Sequence, residues 1–223
     1  MCGRFTLTAS GEEIAEAFGL EDVPTVAPRY NIAPTQEVAA VRRLGPGQPR
    51  RLALLKWGLT PTAPPKDARR VLLINARAET VDERPAFRES FARRRCLIPA
   101  DGFYEWSGVG RSRRPFHIRL RQGGLFAFAG LWEPAAPAVE GAPPGACTIL
   151  TTEPNELLRD IHDRMPVIVA REHHERWLDP ETPDPAGLLK LLEPHPAEDM
   201  TVGPVSTRVN DPRHEDADCL LPT

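Results

Sequence analysis

No apolar run in this sequence approaches the length of a membrane span. Stretches such as Val71 to Ile74 stop after a few residues, against the roughly 20 that a transmembrane helix needs. The opening Met1-Cys2-Gly3-Arg4-Phe5-Thr6 has no basic segment followed by an apolar one. No secretory signal is read there, and a reducing cytoplasm is the expected compartment. Cysteine is scarce: Cys2, Cys96, Cys147 and Cys219 are widely scattered with no CxxC pair, which excludes a disulfide framework and a zinc ribbon. No internal repeat or low-complexity tract is present. A strong overall charge is also missing. The formal net charge of -3 supplies no global attraction to a polyanion.

What is present describes an ordinary globular chain. Its 223 residues suffice to bury roughly 70% of the surface that the unfolded chain exposes. With 41% hydrophobic and 26% charged residues it fits one soluble domain over residues 1–223. Ser10-Gly11-Glu12-Glu13 reads as a capping box ahead of Ile14, Ala17 and Phe18, with Gly19 as the stop. Strand-like runs occur at Glu37–Arg42, Arg51–Trp57, Cys96–Pro99, Phe116–Leu120, Leu125–Trp132, Thr148–Thr151 and Val167–Ala170. Helical patterns occur at Arg84–Arg94, Asn155–Arg159, Glu172–Leu178 and Ala186–Leu192. Many strands and few helices predict an α+β fold: a single domain with a mostly antiparallel β-sheet or open-barrel core and a few peripheral helices. The 25 prolines fall largely in connectors such as Pro61–Pro65 and Pro134–Pro144.

The small net charge hides an asymmetry. From Arg84 to Arg121 there are ten arginines against three acids, Glu89, Asp101 and Glu105, while the tail beyond Glu193 is acidic. A local basic surface is what phosphate binding requires, although the same arginines would equally make a solvated face.

Residue 2 carries the most chemistry. Methionine aminopeptidase removes Met1 when the next side chain is small, and cysteine qualifies. The new terminus would hold an α-amine and a thiol on adjacent carbons, with pKa values of about 8 and about 8.5. An aldehyde can condense with the amine to an imine, and the thiol then closes on the imine carbon to a five-membered thiazolidine. Ring closure within one molecule benefits from a high effective molarity. The same pair also suits hydrolysis, with the thiol attacking an amide and the amine as base. In most chains a cysteine at position 2 is simply a second residue.

Several segments together resemble the SOS-response-associated peptidase (SRAP) family of abasic-site-processing proteins. They are Met1 to Phe5, Tyr30 to Thr35 (YNIAPT), Trp57-Gly58-Leu59, Ile74 to Thr80 (INARAET), Cys96 to Trp106 (CLIPADGFYEW), Ala129 to Glu133 (AGLWE), Ile161 to Pro166 (IHDRMP) and Pro204-Val205-Ser206. All of them in this order make a specific match. The resemblance implies that Cys2 crosslinks to the ring-opened aldehyde of an abasic site in single-stranded DNA. It assigns Glu105 to proton transfer, in an aromatic segment that would raise its pKa. It assigns His162 to opening the sugar hemiacetal, and Asn75 to holding a sugar oxygen or the α-amine.

By the same resemblance Arg4, Arg77 and Arg164 line a DNA cleft, where each would grip phosphate with its planar fork or else pair internally. Trp57 and Thr151 are included as cleft residues, with a core position as the other reading of Trp57. Relatives often carry further tryptophan after Trp-Gly-Leu, but Thr60 to Pro65 has none, so a stacking contact there is not expected. No metal and no organic cofactor is called for. The expected partner is abasic single-stranded DNA, bound covalently by a monomer that joins the nucleoid when on DNA. Lyase and autopeptidase activities, a cysteine peptidase using Cys2 with His162, and a non-covalent DNA binder are the further readings.

Overall fold

The computed structural model describes residues 2–60, 72–108, 110, 113–135, 145–182 and 184–223. Met1, the connector at 61–65, Arg111 and most of the 134–144 connector therefore lie outside the described residues. The strands are β1 (Phe5–Leu7), β2 (Arg29–Ile32), β3 (Glu37–Arg42), β4 (Arg51–Trp57), β5 (Asn75–Arg77), β6 (Arg95–Ala100), β7 (Gly102–Ser107), β8 (Arg114–Leu120), β9 (Phe126–Pro134), β10 (Gly145–Thr152), β11 (Met165–Pro166) and β12 (Met200–Pro204). The helices are α1 (Gly11–Phe18), α2 (Arg88–Arg93), α3 (His174–Leu178) and α4 (Pro185–Leu189).

The predicted α+β class is the one observed. Five strands form a sheet in the order β12-β8-β7-β1-β2, with antiparallel neighbours. In the second sheet β4, β3, β6, β9 and β10 pair antiparallel in succession, and β10 returns to β4 through a short parallel pairing at Ala146 and Cys147. That pairing closes the five strands into a ring. Beyond it β10 pairs with β5 in parallel and with β11 antiparallel. β10 therefore has Asn75 and Arg77 on one flank and the segment leading out of His162 on the other.

Local signals explain the elements that the sequence predicts well. α1 starts with the expected box: Ser10 Oγ accepts from the Glu13 amide at 3.2 Å and the Ser10 amide donates to the Glu13 carboxylate at 2.7 Å. It ends on Gly19, whose φ of 62° lies in the left-handed region that glycine enters without a Cβ penalty. Its apolar stripe of Ile14, Ala15 and Phe18 is buried. Glu37–Arg42 and Arg51–Trp57 form strands with the predicted bounds and pair residue for residue.

Other expectations are corrected. Asn155–Arg159 is a run of turns, not a helix: the Asn155 side chain accepts the Leu158 amide as at a helix start, but the i→i−4 bonds that follow, Arg159 to Asn155 and His162 to Leu158, are not consecutive. Val167–Ala170 is no regular strand. It makes a single bridge, Ile168 to Phe128, just beyond β11. The helical patterns at Arg84–Arg94, Glu172–Leu178 and Ala186–Leu192 shorten to α2, to a 3-10 turn Arg171–His173 followed by α3, and to α4. Strands β2, β5, β7, β11 and β12 add to those expected.

The two sheets meet on β1. Phe5 is edge-on to Trp57 at 5.4 Å and to Phe128 at 5.6 Å, which seats the first strand of one sheet against the ring of the other. Asp101, in the β6–β7 turn, holds the strand's far end by accepting the Thr6 hydroxyl at 2.5 Å, the Thr8 amide at 2.5 Å and the Thr8 hydroxyl at 2.6 Å. No helix among the described residues is long and apolar enough to cross a membrane.

Candidate active site

The start of the chain runs directly into β1, and the pairing of β1 with β7 decides what it meets. Phe5 is opposite Phe103 and the Tyr104 amide donates to the Arg4 carbonyl at 3.0 Å. Continued by two residues, the same antiparallel register carries Gly3 toward Glu105. From the other sheet, Asn75 on β5 donates its side-chain amide to the Cys2 carbonyl at 2.9 Å. His162, at the end of the turns that follow β10, brings Nε2 to 3.8 Å from the Glu105 carboxylate. Cys2, Asn75, Glu105 and His162 are thus assembled from four separate parts of the chain.

Burial sets the protonation of this cluster. Glu105 is 2% exposed and its pKa is raised to about 7, because desolvation opposes the charged form. Cys2 is fully buried, and burial, reinforced by the charge of Glu105, pushes its thiol well up. Burial lowers the pKa of His162 from its ordinary value, which favours the neutral ring. Beside the cluster lies an open cavity of about 580 Å³ lined by Gly3, Arg4, Ile74, Glu105, Trp106, Gly110, Arg113, His162 and Asn210.

The expected arginines have different fates. Arg77 is exposed on β5, two residues from Asn75 and so on the same strand face. Arg4 is half-buried: Nη1 donates to the Asn31 side chain at 3.1 Å and to the Val209 carbonyl at 2.7 Å, with the guanidinium 5.9 Å from the Trp106 ring centre. Arg164 is paired internally. It grips both oxygens of Glu79 at 2.6 and 2.9 Å and donates to the Thr151 carbonyl at 2.5 Å. Within the basic run, Arg95 is buried and caps the carbonyls of Phe91, Ala92, Trp177 and Asp179. Arg121 holds the carbonyls of Glu198 and Met200.

Two expected cleft residues do not reach the cleft. Trp57 is wholly enclosed, its indole N–H donating to the Ile74 carbonyl at 2.8 Å, so it offers no ring face to a base; of its two readings the structure takes the core one. Thr151 is also fully buried, its hydroxyl toward the Ala76 carbonyl at 3.4 Å. In their place the cleft contains three side chains that sequence reasoning did not single out. Trp106 has Arg113 5.6 Å from its ring centre and donates its indole N–H to Asn210 at 2.6 Å. Trp106 stood in a recognised motif and Arg113 in the basic run. Nothing in the sequence marked Asn210, which reaches the cleft because Asn31 binds the carbonyls of Val209, Asp211 and His214. Among the described residues no cluster of three or more His, Cys, Asp or Glu side chains could hold a metal ion.

The chain belongs to the SOS response associated peptidase (SRAP) family, whose model matches residues 1–212. It is 43% identical to the abasic site processing protein YoaM of Bacillus subtilis, over 99% of this chain and 97% of that one. It is 28% identical to the abasic site processing protein HMCES of Xenopus tropicalis, over 99% of this chain and 78% of its relative. Among solved structures, a phage-related protein of Bordetella bronchiseptica superposes with a TM-score of 0.75 at 29% identity, covering 92% of this chain and 95% of that one. A protein of Bacteroides thetaiotaomicron superposes with a TM-score of 0.82, covering 100% of both chains; at 22% identity it speaks for the fold alone.

Proposed function

We propose that this protein processes abasic sites in single-stranded DNA by forming a thiazolidine crosslink through Cys2 once Met1 has been removed. The observation that carries this reading is the convergence of Cys2, Asn75, Glu105 and His162 beside one open cavity with arginines at its rim.

The α-amine of the mature terminus attacks the C1' aldehyde of the ring-opened deoxyribose, and the carbinolamine loses water to give an imine. The Cys2 sulfur then bonds to the imine carbon while the thiol proton passes to nitrogen, so one water is the only by-product. Glu105, near half-ionised at neutral pH, suits the two proton movements, accepting from the amine and donating to the departing hydroxyl. His162 helps the sugar open. Asn75, by holding the Cys2 carbonyl, keeps the terminus pointed at the cavity. Arg77, Arg113 and the outer edge of the Arg4 guanidinium receive phosphate.

The buried, high-pKa thiol favours the amine over the thiolate as first nucleophile. That order supports aldehyde capture over peptide hydrolysis. An imine stage would also permit strand cleavage by β-elimination, and Glu105 would permit slow reversal.

The test mixes the purified protein with a single-stranded oligonucleotide containing one abasic site, followed by a denaturing gel and intact-mass measurement. A heat-stable adduct is expected, with the mass of both components less one water and without Met1. It should be absent with Cys2→Ala and with undamaged DNA. Protein whose mass shows Met1 removed, yet which forms no adduct, would overturn the reading. If Cys2→Ala instead retains abasic-DNA binding with no covalent product in either protein, a non-covalent binder replaces it.

A further inference from the structure

Glu79 lies in the 3-10 turn Ala78–Thr80 that leaves β5, and nothing above gives it a role in the chemistry. Its carboxylate holds both terminal nitrogens of Arg164, at 2.6 and 2.9 Å, and one of those nitrogens also donates to the Thr151 carbonyl at 2.5 Å. Three acceptors therefore anchor the Arg164 side chain, which is only 13% exposed, onto the β5–β10 edge. The Arg164 backbone is correspondingly restrained. Its amide donates to Nδ1 of His162 at 3.0 Å.

That last bond bears on where the imidazole proton sits. A backbone N–H can only donate, so Nδ1 must offer its lone pair, and a neutral ring then carries its proton on Nε2. Nε2 is the atom 3.8 Å from the Glu105 carboxylate. Asp163 Oδ1 also stands 2.8 Å from Nδ1 and, accepting only, would need the proton there, so the amide and the carboxylate compete for one atom. The Asp163 side chain is 87% exposed and able to turn to water. It is the partner of Nδ1 when the ring is protonated or takes the Nδ1–H form, and the backbone amide, which cannot turn away, is the partner otherwise.

We propose that Glu79 is a positioning residue for His162: by anchoring Arg164 it keeps the Arg164 amide on Nδ1 and so holds the neutral imidazole as the Nε2–H tautomer facing Glu105. The proposal rests on the reading of His162 as part of the crosslinking site, but its first measurement does not require DNA. As a plain surface ion pair, with Glu79 49% exposed, the contact would leave the tautomer untouched.

The experiment records long-range 1H–15N spectra of imidazole-labelled full-length protein at pH 8, with His162→Gln used to assign the His162 signals. Wild type should show the Nε2–H pattern. Glu79→Ala should show a mixture with Nδ1–H, and Glu79→Gln, which keeps one acceptor for Arg164, should shift less. Adduct formation by Glu79→Ala should slow about tenfold, since a small misplacement of a reacting group is costly. A folded Glu79→Ala protein with an unchanged His162 pattern overturns the proposal. Should Glu79→Ala fail to fold, Glu79→Gln with a wild-type pattern and rate overturns it equally. Absence of any wild-type adduct would refute the crosslinking reading and leave the tautomer measurement standing.

Discussion

Glu105 concentrates the cost of the site in a single side chain. Its pKa rises from the model-peptide value of 4.5 to about 7 because it is 2% exposed. The folded state therefore binds a proton more tightly than the unfolded state does. A carboxyl raised in this way leaves stability intact below pH 4.5 and removes it progressively as pH climbs toward 7. At roughly 1.4 kcal/mol per unit, the penalty above pH 7 is on the order of 3–4 kcal/mol. Glu105→Gln cannot ionise, so it should melt higher than wild type at pH 8, by about 7–14 °C for a chain of this size. The gain should shrink toward pH 5, and thermal scans at the two pH values check it. The same substitution should slow adduct formation, so stability and activity would move in opposite directions. A melting gain that is equal at both pH values would mean that ionisation is not its source.

At the scale of elements, the short strand β1 does the positioning. Only three residues long, it would not hold its place by backbone pairing alone. Phe5 packs between Trp57 and Phe128, and Asp101 takes three hydrogen bonds from Thr6 and Thr8. Removal of that carboxylate would leave the Thr8 amide without its acceptor and the buried Thr6 hydroxyl with only a longer bond to the Gly102 carbonyl at 3.2 Å, and an orphaned group costs about 1–3 kcal/mol. Asp101→Ala should therefore destabilise the protein by about 2–4 kcal/mol in denaturant titration. Its adduct rate should also fall at temperatures where it remains folded, because Cys2 hangs from this strand. Asp101→Asn, which keeps one acceptor oxygen, should lose less of both. Gly102 belongs to the same device. A Cβ there would collide with His117 Nε2, so any larger residue would have to displace that ring.

Elements were legible in the sequence where the cue was local. The capping box of α1 and the alternating runs of β3 and β4 appear with their expected bounds. Where partners are distant the cue was weak or absent. β2 is four residues long and relies on the Glu215 carboxylate, 184 residues beyond Asn31, to accept its amides. β5 is three residues long and exists because β10 passes beside it. Neither length supports a periodicity argument.

For the whole molecule, the ring closure through β4 and β10 turns Trp57 into a core residue. A large aromatic enclosed on every side should tolerate change of shape poorly. Trp57→Ala is expected to cost about 3–5 kcal/mol, while Trp57→Phe costs less and leaves the crosslinking rate of the folded protein near wild type. A base-stacking tryptophan would show the reverse: little loss of stability and a large loss of DNA binding. Chemical denaturation alongside the adduct assay separates the two. Trp106 and Asn210, with Arg4 and Arg113 close to the indole, take the cleft position that the sequence had suggested for Trp57.

The sequence by itself determined the α+β class, the family and the reactive vocabulary: a cysteine at position 2, a glutamate among aromatics, a histidine before Asp-Arg and an Asn-x-Arg strand. These are properties of residue type and near-neighbour order, which survive without a fold. The tertiary structure alone decided which of these side chains meet. It raised Glu105 to about 7 by burial, tied Arg164 to Glu79 and not to solvent, withdrew Trp57 and Thr151 into the core, and swung Asn210 into the cleft. Each outcome depends on solvent exclusion and on contacts between residues far apart in the chain. A linear pattern cannot encode such contacts until the ring of strands has closed.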